Sequence, residues 1–285
     1  MKNNYHKKGI LVTKASGETE PFSDAKLRRS LKRVNAPSIV VEKIVEHIHK
    51  ELKSGISTLQ IYRHAFSLLR KQEHPIAARY ALKQAIRDLG PSGHPFEKLI
   101  GALLASEGFS IEVGKTVQGS CVTHEIDVIA QKDNRHIMVE CKFHNQSNIK
   151  SDVKISLYIQ ARFQDVEKAW KQNSAHTEKF HEAWLITNTK LTSDAIRYAE
   201  CIGMKAIGWN YPESGSLEMR IDRSGVHPVT CLTTLSNSQK QLLIQKGIIL
   251  CKDLLSKQDA LRSFGLPETK INAIINEAKQ LCQQK

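Results

Sequence analysis

Several function classes are excluded by what this chain lacks. No apolar run approaches the roughly 18 residues that a membrane span needs. The opening stretch MKNNYHKKGI has no apolar h-region, so no secretory signal is expected. The six cysteines (Cys121, Cys141, Cys201, Cys231, Cys251 and Cys282) are scattered, without a C-x-x-C pair. That spacing argues against a zinc ribbon and a disulfide framework, and for a reducing, cytoplasmic compartment. HEAWL lacks the second histidine of H-E-x-x-H, which argues against a zinc protease, and there is no glycine-rich Walker loop. Long repeats and low-complexity tracts are missing too.

Positive charge is plentiful. The 285 residues carry a formal net charge of +13. Residues 1–90 hold 18 Lys and Arg against 8 Asp and Glu, so 10 of the 13 lie there. Such a balance favours a polyanionic partner, whether nucleic acid, nucleotide or an acidic membrane surface. The length suits two or three domains.

Three segments are expected: 1–90, 93–215 and 228–285. The first begins with two short strands, ILVTK and ETEPF, around Ser16-Gly17. Helices follow, with apolar stripes Ala25, Leu27, Leu31, Val34 and Ile39, Ile44, Val45, Ile48, Leu52. STLQIYRHAFSLLRK starts on a Ser-Thr cap, and IAARYALKQAIRDLG reads as one helix ending on Gly90. GPSGHP then breaks the chain. Beyond it the order is mixed: a helix over 95–106, strands near 110–113, 125–130 and 137–143, a long helix over about 152–171, then strand, helix and strand. The tail is helical, with its helices stopping at glycines.

The chemistry concentrates in HEIDVIAQKDNRHIMVECKFHN, which reads as a hairpin. Ile126 and Val128 are expected on one face of its first strand, with Glu125 and Asp127 on the other. In the second strand Ile137, Val139, Cys141 and Phe143 form an apolar face, leaving Glu140 and Lys142 opposite. Pairing would bring Asp127, Glu140 and Lys142 together. Two partly buried carboxylates repel unless a cation joins them, and a hard divalent ion is the simplest remedy. A Glu-x-Lys pair alone commonly marks a solvated strand. Three features add weight here: the Asp in a preceding apolar strand, the short hairpin, and an amphipathic helix with its own acid, Glu97. His124, His136 and His144 have no metal-ligand spacing.

The pattern Asp127-(x12)-Glu140-Cys141-Lys142 resembles the PD-(D/E)XK nuclease signature, specifically the Mrr-like restriction endonuclease domain, over residues 93–212. The resemblance implies an αβββαβ core. It also implies Mg²⁺ or Mn²⁺ held by Asp127, Glu140 and the backbone carbonyl of Cys141, with Glu97 as a further acid and Lys142 as the catalytic lysine. The family's Gln-x-x-x-Tyr or Gln-x-x-x-Gln helix motif is absent. That helix carries Tyr158 and Arg162 four apart on one face, and Asp152 and Lys154 at its start. These four are candidate DNA contacts or supports behind the metal ligands. A solvated face is the competing reading for Asp152 and Lys154.

Residues 9–90 resemble the ATP-cone, a nucleotide-sensing module, through ILVTKASGETEPFSDAKLRRSL, GISTLQIY and AARYALKQAIRDL. The resemblance implies ATP or dATP as effector, contacted by Val12, Lys14, Glu20, Lys26, Thr58 and Arg87, with Arg79 and Lys83 nearby. A basic helical adaptor without ligand is the alternative. The tail resembles a helix-hairpin-helix module, in which Gly247 and Gly265 would form phosphate-gripping turns with Lys270 beyond. A helical dimerisation or packing tail is equally compatible.

The expected architecture is therefore multidomain α+β and α/β: a mostly helical ATP-cone, a PD-(D/E)XK core and a small all-α module. The expected function is a metal-dependent DNA endonuclease of restriction type, regulated by ATP or dATP. Two alternatives remain, a nucleotide-responsive DNA-binding regulator without cleavage and a ribonucleotide-reductase accessory protein. Cutting both strands with one site per chain implies a homodimer or higher assembly.

Overall fold

The computed structural model describes residues 9–14, 16–146, 148–172 and 180–283. Most of the opening stretch read for a signal therefore lies outside the described residues. The first segment contains β1 (Leu11–Thr13), β2 (Thr19–Pro21), α1 (Asp24–Arg33), α2 (Ser38–Glu51), α3 (Thr58–Gln72), α4 (His74–Tyr80) and α5 (Leu82–Arg87). β1 and β2 form an antiparallel pair, and Thr13 also bridges to Ser57. Ser57 caps α3 with a full capping box: its hydroxyl accepts from Gln60 N–H while the Gln60 side chain accepts from Ser57 N–H. The single helix expected after α3 is two helices, broken at Ala81. Ala25 and Ile39 fit the helical spacing but are exposed, because α1 buries Leu27 and Leu31 and α2 turns Val40, Val41 and Ile44 inward.

The second segment runs α6 (His94–Ser106), β3 (Ser110–Gln118), β4 (Thr123–Lys132), β5 (Arg135–Lys142), β6 (Lys150–Ser151), α7 (Val153–Gln172), β7 (Phe180–Thr187), β8 (Lys190–Leu191), α8 (Ser193–Cys201) and β9 (Lys205–Ile207). One sheet has the order β3-β4-β5-β7-β9, antiparallel through β5 and parallel beyond it. α6 covers one face, where Phe96, Leu99 and Leu103 share a core with Val128, Ile137, Val139 and Trp184. On the other face, Val166 from α7 packs with Met138 and Phe180, and Ile159 with Leu185.

The third segment has α9 (Leu217–Ser224), a 3-10 turn (Val229–Cys231), α10 (Asn237–Gln245), α11 (Cys251–Ser256), α12 (Asp259–Arg262) and α13 (Glu268–Cys282). Its apolar residues join the α6-side core, as do Ala78, Leu82, Ala85, Ile86 and Leu89 from the first segment. Polar latches cross the same junctions. Thr230 Oγ1 donates to the Ala85 carbonyl at 2.6 Å, Arg79 donates to the Gln280 carbonyl at 3.1 Å, and Arg33 pairs with Glu218 at 3.0 Å. The architecture is mixed α/β, with a central five-stranded mixed sheet and helical parts before and after it.

Candidate active site

The site lies where two neighbouring strands part. β4 stays paired with β3 as far as Gln118↔Thr123, and β5 with β7 as far as Lys142↔Thr187. The β4–β5 ladder, however, ends at Val128↔Val139. Past that point the Cys141 N–H has left the ladder, and an unpaired backbone donor in a partly buried place is costly. Asp127 Oδ2 accepts it at 2.7 Å. This bond fixes the carboxylate in the cleft between the strands.

A second break sits across from it. The β3–β4 register passes over Gly114, which falls opposite Asp127 and has φ +66°. A glycine takes that left-handed conformation without the strain a Cβ brings. The break corrects one expectation: Ile126 and Val128 do not line a common face. Val128 packs on the α6 side, whereas Ile126 packs with Val166 and Phe180 on the α7 side. In β5 the alternation is regular. Ile137, Val139 and Cys141 enter the α6-side core, Phe143 packs against it, and Glu140 and Lys142 take the intervening positions.

The charges are crowded. Glu140 is mostly buried, at 16% side-chain exposure, and its carboxyl is pushed up to about 7. Burial is the main cause and the Asp127 charge the next, opposed by Arg162. Asp127 is pushed up to about 6, chiefly by burial and further by Glu97, while the Cys141 N–H pulls it down. Arg162 reaches in from α7. Its guanidinium donates to Glu140 and to the Glu125 carbonyl, and it lies 5.3 Å from the centroid of the Tyr158 ring. Arg162 is buried and Tyr158 exposed. Glu97, in the first turn of α6, is largely buried, with His94 Nδ1 at 3.2 Å. Lys142 is half-buried. Burial raises the Cys141 thiol well above its ordinary value, so the side chain is a core group and not a nucleophile. Asp152 and Lys154 are exposed at the start of α7, where Asp152 Oδ1 accepts from Lys154 N–H at 3.1 Å.

Two supports escaped sequence reasoning. Asp165, one turn beyond Arg162, accepts from Cys121 N–H at 2.8 Å and from Val122 N–H at 3.3 Å, and pairs with His124 at 2.8 Å. These contacts, His124 foremost, hold its carboxyl down at about 2. They tie the β3–β4 turn to α7. Behind Lys142, the buried hydroxyls of Ser151, Thr187 and Thr189 form a triangle with sides of 3.0, 3.0 and 3.1 Å. It joins the β6–β8 pair to the end of β7. Neither pattern has a local sequence signal, since the partners are up to 44 residues apart.

In the first segment, Lys14 and Lys26 flank Glu20 at 3.3 and 2.9 Å. Glu20 is held below the ordinary carboxylate range, mainly by the hydrogen bond from Lys26. Val12 is buried in the same hairpin, and Thr58 follows Ser57, the residue that bridges to Thr13. Among the described residues, Arg87 makes no hydrogen bond or ion pair with this group. Arg87 donates to Gln84 at 2.9 Å and lines a cavity of about 340 Å³ with Asn145, Thr230 and Lys240. Of the residues nearby, Arg79 binds the tail and Lys83 lies 5.4 Å from the Trp209 ring centroid. In the tail, Gly247 and Gly265 have φ +73° and +66°. Their turns are neighbours: Lys246 Nζ donates to Ser263 Oγ at 2.7 Å and lies over the Phe264 ring. Lys270 is exposed in the first turn of α13.

Residues 90–207 match the restriction endonuclease family model, residues 10–89 the ATP cone domain, and residues 227–282 the AF1548-like C-terminal family. An uncharacterized protein of Archaeoglobus fulgidus is 37% identical over 180 residues, which span 63% of this chain and 97% of that protein. The crystal structure of AF1548, a protein of unknown function, is similar at 35% identity with a TM-score of 0.54, covering 67% of this chain and 98% of that one. The chain thus belongs to the AF1548-like family, with a restriction-endonuclease domain that follows an ATP cone and precedes the family's C-terminal segment.

Proposed function

We propose that this protein is a metal-dependent DNA endonuclease whose activity responds to ATP or dATP bound by its N-terminal segment. One observation carries the reading: three partly buried carboxylates, Asp127, Glu140 and Glu97, meet two cations, Arg162 and Lys142, and Asp127 and Glu140 are both pushed toward neutrality. A structural ion pair needs one acid for one base. That excess of acid over base, together with the Cys141 carbonyl, is a donor set suited to a hard divalent cation such as Mg²⁺ or Mn²⁺, with Asp127 and Glu140 in front and Glu97 behind. Such an ion, when bound, supplies polarisation of the phosphodiester and a lower pKa for the attacking water.

The chain's own groups do the rest. The Cys141 N–H aims the Asp127 carboxylate. Arg162 orients Glu140 and offsets part of its charge. Lys142 positions the attacking water and faces the charge that grows on phosphorus. Tyr158, Lys154 and Asp152 present the start of α7 to the DNA backbone, and the Gly247 and Gly265 turns with Lys270 hold phosphates further away. Water adds to phosphorus, the P–O3′ bond breaks, and a 5′-phosphate remains. The effector site uses Lys14 and Lys26 for phosphates, with Val12, Glu20 and Thr58 beside them. The working form is a cytoplasmic homodimer or larger.

The test is cleavage of plasmid DNA with Mg²⁺ or Mn²⁺, with and without ATP and dATP. Cutting that changes with nucleotide, and loses that response in Lys14→Ala, is expected. DNA retention in a gel without cutting under any condition would favour the nucleotide-responsive regulator instead.

A further inference from the structure

In the first segment, α2 and α3 bring His47, Glu51 and His64 together so that one ligand atom from each lies within 4.8 Å of the others. His47 and Glu51 are four apart, so they stand one above the other on α2. Both helices are held in place by their inner faces, Ile44, Val45 and Ile48 on one and Ile61 and Ala65 on the other. The two carboxylate oxygens are divided between the rings: Oε1 is 3.6 Å from His47 Nδ1, and Oε2 is 2.8 Å from His64 Nδ1. The ring centroids are 4.9 Å apart. The nearby Lys50 is paired with Glu46 at 3.2 Å.

A simple ion pair does not use this arrangement. One carboxylate balances one imidazolium, and two imidazolium rings this close would repel. A neutral imidazole offers a lone pair to a metal ion, and the carboxylate offers an oxygen. Bonds of about 2.0–2.1 Å in a tetrahedral shell set donor atoms about 3.3 Å apart, so the three atoms, already within 4.8 Å of one another, need draw together by no more than about 1.5 Å. Imidazole nitrogens favour zinc, cobalt, nickel and copper over magnesium and calcium.

We propose that His47, Glu51 and His64 form a binding site for a divalent transition-metal ion of the Zn²⁺ class, separate from the oxygen-ligand site at Asp127 and Glu140. Three protein ligands leave one position for water or an exogenous ligand. The ion would clamp the end of α2 to α3. It would thereby stiffen the connection between them, in which Gly55 N–H donates to Leu11 and Ile56 accepts from Thr13 N–H, both at 3.0 Å.

The test is Co²⁺ titration of the untagged, full-length protein in excess Mg²⁺, followed by visible absorption and competed with Zn²⁺. One Co²⁺ per chain with a d–d band is expected. Affinity should fall at least about tenfold in His47→Ala and in His64→Ala and stay unchanged in Asp127→Ala. Glu51→Gln, which keeps the shape of the side chain, should also weaken binding, with far-UV circular dichroism checking that each variant is folded. Undiminished binding in folded His64→Ala and Glu51→Gln would overturn the assignment. So would an equal loss in Asp127→Ala, since it would place the ion at the cleft.

Discussion

Replacing Asp127 by asparagine should make the metal-free protein more stable at pH 8. The wild-type carboxyl sits at about 6 in the folded chain against an ordinary value of 3.8. Between those pH values the folded state keeps a proton that the unfolded state has released, so wild-type stability falls as pH rises through this window. The displacement corresponds to about 3 kcal/mol, and partial exposure reduces the expected gain to about 1–3 kcal/mol. Asparagine removes the ionisation but keeps an oxygen to accept from Cys141 N–H, so the fork between β4 and β5 should persist. Urea unfolding in EDTA, followed across pH 4 to 8, is the assay. The two proteins should converge near pH 4, separate between about pH 4 and 6, and keep a constant gap from there to pH 8. Saturating Mg²⁺ should close the gap, because an ion that binds the folded wild type stabilises it by mass action. Asp127→Asn that is no more stable than wild type at pH 8 would refute the idea that the cleft stores electrostatic strain for a cation.

Other outcomes follow from the same geometry. Arg162→Ala leaves Glu140 buried without its partner and should cost about 2–4 kcal/mol in EDTA at pH 8, partly restored by Mg²⁺; chemical denaturation checks this. Cleavage at limiting Mg²⁺ should rise between pH 5.5 and 8, because the ion must displace protons held near 6 and 7, and the midpoint should shift to lower pH as Mg²⁺ increases. A midpoint independent of Mg²⁺ would contradict that coupling. Gly225→Ala should destabilise by about 2 kcal/mol or more in a thermal melt, since its φ is +67° and a Cβ would lie 2.6 Å from the Cys282 carbonyl oxygen.

Much of the cleft was legible because it obeys local periodicity. The two-residue alternation of β5 separates Ile137, Val139 and Cys141 from Glu140 and Lys142, and β5 keeps that alternation as it pairs with β7. The stripe on α6 was equally plain in Phe96, Leu99 and Leu103. The failures are places where a local rule yields to a distant one. Ile126 changes faces because Gly114, on the neighbouring strand, interrupts the ladder opposite Asp127. The break at Ala81 has no glycine or proline to announce it; α4 divides its buried residues between the first segment's core (Ile76, Ala77) and the central one (Ala78), whereas α5 gives Leu82, Ala85 and Ile86 to the central one. Tyr158 and Arg162, four apart, read alike as DNA contacts or supports behind the metal ligands; what separates them is tertiary, since the partners of Arg162, Glu140 and the Glu125 carbonyl, are 22 and 37 residues away. The two-residue strands β6 and β8 are too short to show any period, and the hydroxyl triangle that binds them is wholly tertiary.

The most direct measurement is nicking of supercoiled plasmid at pH 8 by wild type, Asp127→Ala and Lys142→Ala, with Mg²⁺, with Mn²⁺ and with EDTA. Metal-dependent cutting by wild type is expected, with 5′-phosphate ends that ligase can reseal and loss of cutting in both variants while each remains folded. Cutting that persists in folded Asp127→Ala and Lys142→Ala, or proceeds undiminished in EDTA, would contradict the proposed function.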